Sequence, residues 1–344
     1  MKIALFDTKP YDKEVFEKHN SYKNEMSFTF YETKLNEDTV SLSNGFDCVV
    51  VFVNDTLNSN VINQLYKYGV KLIALRCSGF NNVDVKEAFG KIHVVNVPNY
   101  SPYAVAEHTM ALLLTSIRHI HKAYNRTRDY NFSLNGLKGF DLHGKTVGII
   151  GTGRIGKVFA NICNGFGMHV LAYDLCPDTS INVEYVSLEN LFKHSDIISL
   201  HCPLTPENYH FINSKSIAKM KDGVILINTS RGSLVDTEDL LEEIKNKKVG
   251  ATCLDVYEEE SDIFFEDKSN HILQDDTLAR LLSMPNVLIT SHQAFLTEEA
   301  LNNIAKTTIN NIKNFFEDGI IKNEICYHCG RSAQCKKKRR ERCF

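Results

Sequence analysis

The stretch Thr146-Val147-Gly148-Ile149-Ile150-Gly151-Thr152-Gly153-Arg154-Ile155-Gly156 decides the fold. Its first five residues are an apolar run of strand type, and the rest is a Gly-x-Gly-x-x-Gly. A helical stretch follows over residues 155–166, and the next apolar run, 169–173, ends on Asp174, 18 residues past Gly156. Alone, the glycine spacing is weak. Between a strand and a helix, with an acid at the end of the next strand, it reads as a dinucleotide-binding turn. Gly151 permits the tight turn, Gly153 lets the backbone approach a pyrophosphate, and Gly156 lets helix and strand pack closely. The pyrophosphate would rest on the amides of the helix N-terminus. Asp174 would accept hydrogen bonds from the ribose hydroxyls and repel a 2′-phosphate, which favours NAD over NADP.

Outward from this turn, short apolar runs alternate with amphipathic stretches, the pattern of parallel α/β folds. Upstream, strands are predicted at 3–6, 48–53, 72–75 and 94–97, with a helix-like stretch at 60–68. Ser101-Pro102 opens a long Ala-, Leu- and Met-rich helix over 104–118. Six strands then follow at 146–150, 169–173, 197–200, 224–228, 251–256 and 287–290, and a last helix at 298–317. The expected class is α/β, with two Rossmann-like domains.

Length and composition agree. The chain has 344 residues, too many for one ordinary core; 43% are hydrophobic and 24% charged. Its apolar runs fall short of a membrane span, and the N-terminal run is too short for a signal peptide. Net charge is −3, yet residues 331–344 hold seven Lys/Arg and one Glu, leaving an acidic body at −9. That balance argues against nucleic acid as the main partner. Ten cysteines without a leader predict a reducing, cytoplasmic setting and free thiols. Cys48, Cys77, Cys163, Cys176, Cys202 and Cys253 lie in or beside apolar stretches and are expected to act as small hydrophobes.

Ligands of open α/β sheets bind beyond the carboxyl ends of the strands. Several of these ends carry chemistry. Strand 197–200 is followed by His201-Cys202-Pro203, 224–228 by Thr229-Ser230-Arg231-Gly232, 251–256 by Tyr257-Glu258-Glu259-Glu260, and 287–290 by Ser291-His292-Gln293-Ala294-Phe295. An Arg, a Glu and a His on one edge suit reduction of a 2-keto acid. Arg231 would hold the substrate carboxylate with its planar fork. His292 would deliver a proton to the carbonyl oxygen. Glu260 beside it would favour the imidazolium. His201 reads as structural or cofactor-lining.

These motifs match a known family. From about residue 1 to 326 the chain resembles the D-isomer-specific 2-hydroxyacid dehydrogenases, and within them the fermentative D-lactate dehydrogenases. The match rests on Gly151-x-Gly153-x-x-Gly156 with Asp174, Asn228-Thr229-Ser230-Arg231-Gly232, Leu254-Asp255-Val256-Tyr257 with Glu260, and Ser291-His292-Gln293-Ala294-Phe295. The resemblance implies catalytic roles for Arg231, Glu260 and His292. It places Arg154, Ile155, Asp174, Cys202, Pro203, Asn208, Thr229, Ser230, Arg231 and Asp255 around NAD, with Asp255 near the carboxamide. It implies that the Ser78 and Gly79 amides bind the substrate carboxylate, as a Ser-Gly turn after a strand can. Tyr100 and Phe295 would line a small methyl pocket, suiting pyruvate, with D-lactate as product.

The resemblance also implies a discontinuous, flavodoxin-like substrate domain (1–100 and 297–330), a doubly wound NAD-binding domain (101–296), and a homodimer or homotetramer. No metal, nucleic-acid or membrane partner is implied. The alternatives are a reductase of another D-2-hydroxy acid (hydroxyisocaproate, hydroxypyruvate or glyoxylate type) and an NAD-binding scaffold resembling a corepressor. The tail, 331–344, departs from the family pattern. With Cys326, Cys329, Cys335 and Cys343 it reads as a basic arm, with structural zinc the lesser alternative.

Overall fold

The computed structural model describes residues 1–22, 25–260, 263–317, 319 and 321–327. The basic tail, with Cys329, Cys335 and Cys343, lies outside them. The chain divides into two compact units: Met1–Ser101 together with the residues from Leu296 onward, and Pro102–Phe295.

The first unit holds β1 (Lys2–Leu5), β2 (Ser27–Phe30), β3 (Cys48–Val51), β4 (Leu72–Leu75) and β5 (His93–Val95). All pair in parallel, in the order β2-β1-β3-β4-β5, a flavodoxin-like arrangement. The central strands are apolar throughout because helices cover both faces. On one face Ile3, Leu5, Val50, Leu72 and Ala74 pack against Phe16 of helix Pro10–His19 and against Ala305, Ile309 and Ile312 of helix Glu298–Glu317. That last helix has the bounds expected from its sequence. The Ile, Leu, Val and Phe side chains buried here each contribute about 1.5–3 kcal/mol.

The second unit holds β6 (Thr146–Ile150), β7 (His169–Tyr173), β8 (Glu184–Tyr185), β9 (Ile197–Leu200), β10 (Val224–Asn228), β11 (Val249–Leu254) and β12 (Val287–Ile289). Their order is β12-β11-β10-β9-β6-β7-β8, all parallel: a doubly wound sheet that reverses between β6 and β9. One face buries Val147, Ile149 and Ile227 under helices Pro102–Arg118 and Arg154–Gly165. The other buries Ile198, Leu200 and Leu226 under helices Leu188–His194, Thr237–Lys245 and Asp276–Ser283.

Each sheet has one strand more than the sequence predicts. β2 and β8 are edge strands, partly exposed, without the continuous apolar run that marks the central ones. β11 begins two residues before the expected start, at Val249, beside a register shift in its pairing with β10. The expectation for the cysteines also needs correction. Cys48, Cys77, Cys163 and Cys253 are buried, and Cys202 is half-buried against the core. Cys176 is exposed, just past the end of β7, where the chain has left the core.

Candidate active site

The dinucleotide turn sits where the sheet order reverses. Gly151 has φ +96°, and a Cβ there would come within 2.6 Å of the His201 carbonyl oxygen. A Cβ on Gly156 would lie 2.0 Å from the Gly151 carbonyl oxygen, so helix and turn touch. A Cβ on Gly153 would meet nothing within 4 Å. This is the open side from which a pyrophosphate could reach the amides at the helix start. Asp174 is anchored to the turn: its Oδ2 accepts the Thr152 amide at 2.6 Å and the Thr152 hydroxyl at 3.1 Å, and Oδ1 accepts the Cys176 amide. Arg154 and Ile155 form the first turn of the helix. These residues fit a dinucleotide.

The loop after β9 closes on itself. Asn208 donates to the Pro203 carbonyl and accepts the Thr205 amide. It is tied to the next loop where the Ser230 hydroxyl donates to the Cys202 carbonyl at 2.5 Å. Burial pushes the Cys202 thiol up to about 11, away from thiolate chemistry. Thr229 meets Thr109 of helix Pro102–Arg118, hydroxyl to hydroxyl at 2.9 Å.

Arg231, Glu260 and His292 follow β10, β11 and β12, three neighbouring strands. His292 Nδ1 and Glu260 Oε1 are 2.7 Å apart, and Glu260 Oε2 accepts the Tyr257 amide at 3.0 Å. The Arg231 guanidinium donates to the Ser230 carbonyl at 2.6 Å. His292 has φ +53°, a left-handed backbone unusual outside glycine. Asp255 holds it there. The Asp255 carboxylate accepts the Gln293 and Ala294 amides, both at 2.9 Å, and the Thr290 hydroxyl at 2.6 Å. The Asp255 carbonyl accepts the His292 amide. His108 Nε2 lies 3.3 Å from the same carboxylate. Asp255, expected beside the carboxamide, thus directs its carboxylate to the histidine turn. Phe295, at the end of this turn, is buried.

His201 is a different kind of histidine. Its Nε2 meets the Ser199 hydroxyl at 2.9 Å and its ring packs on Phe159. Burial pushes it down to about 3, so it is neutral near neutral pH.

Ser78, Gly79 and Tyr100 belong to the other unit. Ser78 and Gly79 follow β4, and among the described residues neither amide donates to another group. Asn96 fixes the turn by donating to the Ser78 carbonyl at 2.7 Å. The Tyr100 carbonyl accepts from Asn303.

His108, Thr109, Thr290, Asn96 and His210 escape sequence reading, and Glu258 appears there only as one of three neighbouring acids with no role of its own. Lone polar residues carry no spacing signal; only their contacts reveal them.

Residues 110–294 match the family model of the D-isomer-specific 2-hydroxyacid dehydrogenase NAD-binding domain, more than half of the chain. The chain belongs to the D-isomer-specific 2-hydroxyacid dehydrogenases. It is 50% identical to D-lactate dehydrogenase of Escherichia coli, over 94% of this chain and all of that one. It is 53% identical to a 2-hydroxyacid dehydrogenase homologue of Haemophilus influenzae, over 91% of this chain and 95% of that one. The structure superimposes on D-lactate dehydrogenase of Aquifex aeolicus, solved with NAD and lactic acid, with a TM-score of 0.82 and 33% identity, covering 92% and 96% of the two chains. The family assigns the second unit an NAD-binding role, and NAD is the cofactor. Among the described residues no helix is long and apolar enough to cross a membrane.

Proposed function

We propose that the chain is an NAD-dependent D-lactate dehydrogenase, interconverting pyruvate and D-lactate. The observation that carries this is the His292–Glu260 pair at 2.7 Å, on the strand edge that also carries the dinucleotide turn and Arg231. NADH, when bound, supplies the hydride that reaches C2 of the keto acid. Arg231 holds the carboxylate, helped by the Ser78 and Gly79 amides. Because Nδ1 faces Glu260, His292 presents Nε2, and its proton passes to the carbonyl oxygen. In the reverse direction neutral Nε2 takes the hydroxyl proton. Glu260 fixes the orientation of the ring through Nδ1, and Asp255 sets the histidine turn. Tyr100 and Phe295 restrict the substrate to a small side chain.

A homo-oligomer, dimer or tetramer, is part of this reading. Residues 120–140 carry exposed Ile120, Tyr124, Tyr130, Phe132 and Leu134, apolar side chains that a subunit contact would cover. Free Cys176 and Cys202 fit a reducing, cytoplasmic setting.

The test is NADH oxidation with pyruvate and with 2-keto acids of increasing length, followed by chiral analysis. Turnover fastest with pyruvate and giving D-lactate is expected. Preference for a longer acid would reassign the substrate, and NADH binding without turnover would leave a scaffold.

A further inference from the structure

Three acids in a row follow β11, and the structure separates them. Glu260 faces His292. Glu259 is exposed. Glu258 turns the other way, into a set of side chains the reaction does not use. Its Oε1 is hydrogen-bonded to His210 Nε2 and accepts the Tyr209 hydroxyl at 3.2 Å; its Oε2 accepts the Thr237 hydroxyl at 3.2 Å. The other nitrogen of His210, Nδ1, lies 3.3 Å from the Asp236 carboxylate. His210 thus stands between two carboxylates, with φ +51° and its ring stacked on Tyr209 at 3.9 Å.

The surroundings tie this cluster to both loops that carry the proposed chemistry. The His210 amide donates to the Ser233 carbonyl at 2.9 Å, and Ile212 bridges to Val235, so the 209–212 segment is stitched to the chain just past Arg231. Gly232 lies so close to the acidic loop that a Cβ there would sit 2.2 Å from the Tyr257 carbonyl. Two residues past Glu258, the Glu260 side chain folds back on the Tyr257 amide.

We propose that Glu258, held by His210, is a positioning residue that sets the Glu260 carboxylate against His292 and keeps the Arg231 and Glu260 loops in register. The inference rests on the dehydrogenase reading above. Tyr257 is anchored in the core, but between it and Glu260 the clamp is what ties the acidic loop to the 209–212 segment and to Thr237. Displacing a catalytic partner by about 1 Å can cost about 100-fold in rate.

The experiment compares Glu258→Ala, Glu258→Gln and His210→Ala with the wild type, on whichever 2-keto acid the wild type reduces, alone and in the Glu260→Gln background. Glu258→Ala is expected to lower kcat by about 10-fold or more, with the Kd for NADH unchanged. It should move the pH profile in the same direction as Glu260→Gln does. Glu258→Gln keeps the acceptor oxygen and should retain most of kcat. In the Glu260→Gln background, Glu258→Ala should add less than about twofold, because both act through one contact. The His292 imidazole resonance, assigned by its loss in His292→Gln, should change its chemical shift at fixed pH in Glu258→Ala whether or not turnover is detected. Fold-changes that multiply in the double variant, or an unmoved His292 resonance in a folded Glu258→Ala protein, would overturn the clamp. Absence of turnover in the wild type would instead sink the dehydrogenase reading and leave the resonance to decide the clamp.

Discussion

His201 and His292 leave the same edge of one sheet, and their surroundings give them different chemistry. His292 faces a carboxylate through Nδ1, whereas His201 meets a serine hydroxyl and a phenyl ring. His292→Gln removes the proposed proton donor and is expected to cost about 100-fold or more in kcat, with NADH binding retained, as stopped-flow and titration would check. His201→Gln should leave the pH profile of turnover in place. It should show in stability instead. The unfolded imidazole takes up a proton near pH 6.5, but in the fold desolvation pushes it down to about 3. Between those values the unfolded chain binds more protons, so the wild type loses stability as pH falls, by up to about 1.4 kcal/mol per unit from this group. Denaturant unfolding of the two proteins should therefore show the wild type's advantage shrinking from pH 6.5 downward, and a constant difference would refute it. At this scale the sequence disclosed residue types at strand ends. It assigned Glu260 to His292 but gave Glu258 no role, because an acid's role lies in its partner, and the Glu258 partner His210 sits 48 residues away.

Among the elements, the central strands were legible because burial on both faces demands unbroken apolar runs, as in Val224–Asn228 and Ile197–Leu200. Edge strands escape that demand. Ser27–Phe30 alternates between exposed and half-buried positions, and Glu184–Tyr185 is only a two-residue pairing with β7. The turn between β6 and its helix was legible for a different reason: two of its glycines are required by contact. Gly156→Ala would place a methyl carbon 2.0 Å from a carbonyl oxygen that belongs to the turn itself. The helix must then move off the strand, at about 1–3 kcal/mol. The expected outcome is a lower Tm and at least about tenfold weaker NADH binding by fluorescence titration, since the helix-terminal amides move with it. Unchanged affinity would show that the turn does not cradle the pyrophosphate.

For the whole molecule, the proposed assembly rests on the exposed apolar side chains of residues 120–140. Replacing Phe132 and Leu134, 72% and 81% exposed, with Asp should lower the molar mass seen by light scattering while leaving each subunit's melting cooperative. A mass unchanged from the wild type would place the contact elsewhere. Chain order has its own consequence. The five strands of the first sheet are translated early, but the Glu298–Glu317 helix that covers Ile3, Leu5, Val50 and Leu72 leaves the ribosome only after residues 102–295. Until then that face of the sheet is covered in part, by helix Pro10–His19, and the rest is a surface for chaperones or for aggregation. Folding of the inserted unit in the meantime brings the ends of a long intervening loop under restraint and lowers the entropic cost of the closing step. Such a protein is built from the inside of its sequence outward, and a ribosome stalled before the last helix should carry a finished cofactor unit beside an unfinished partner.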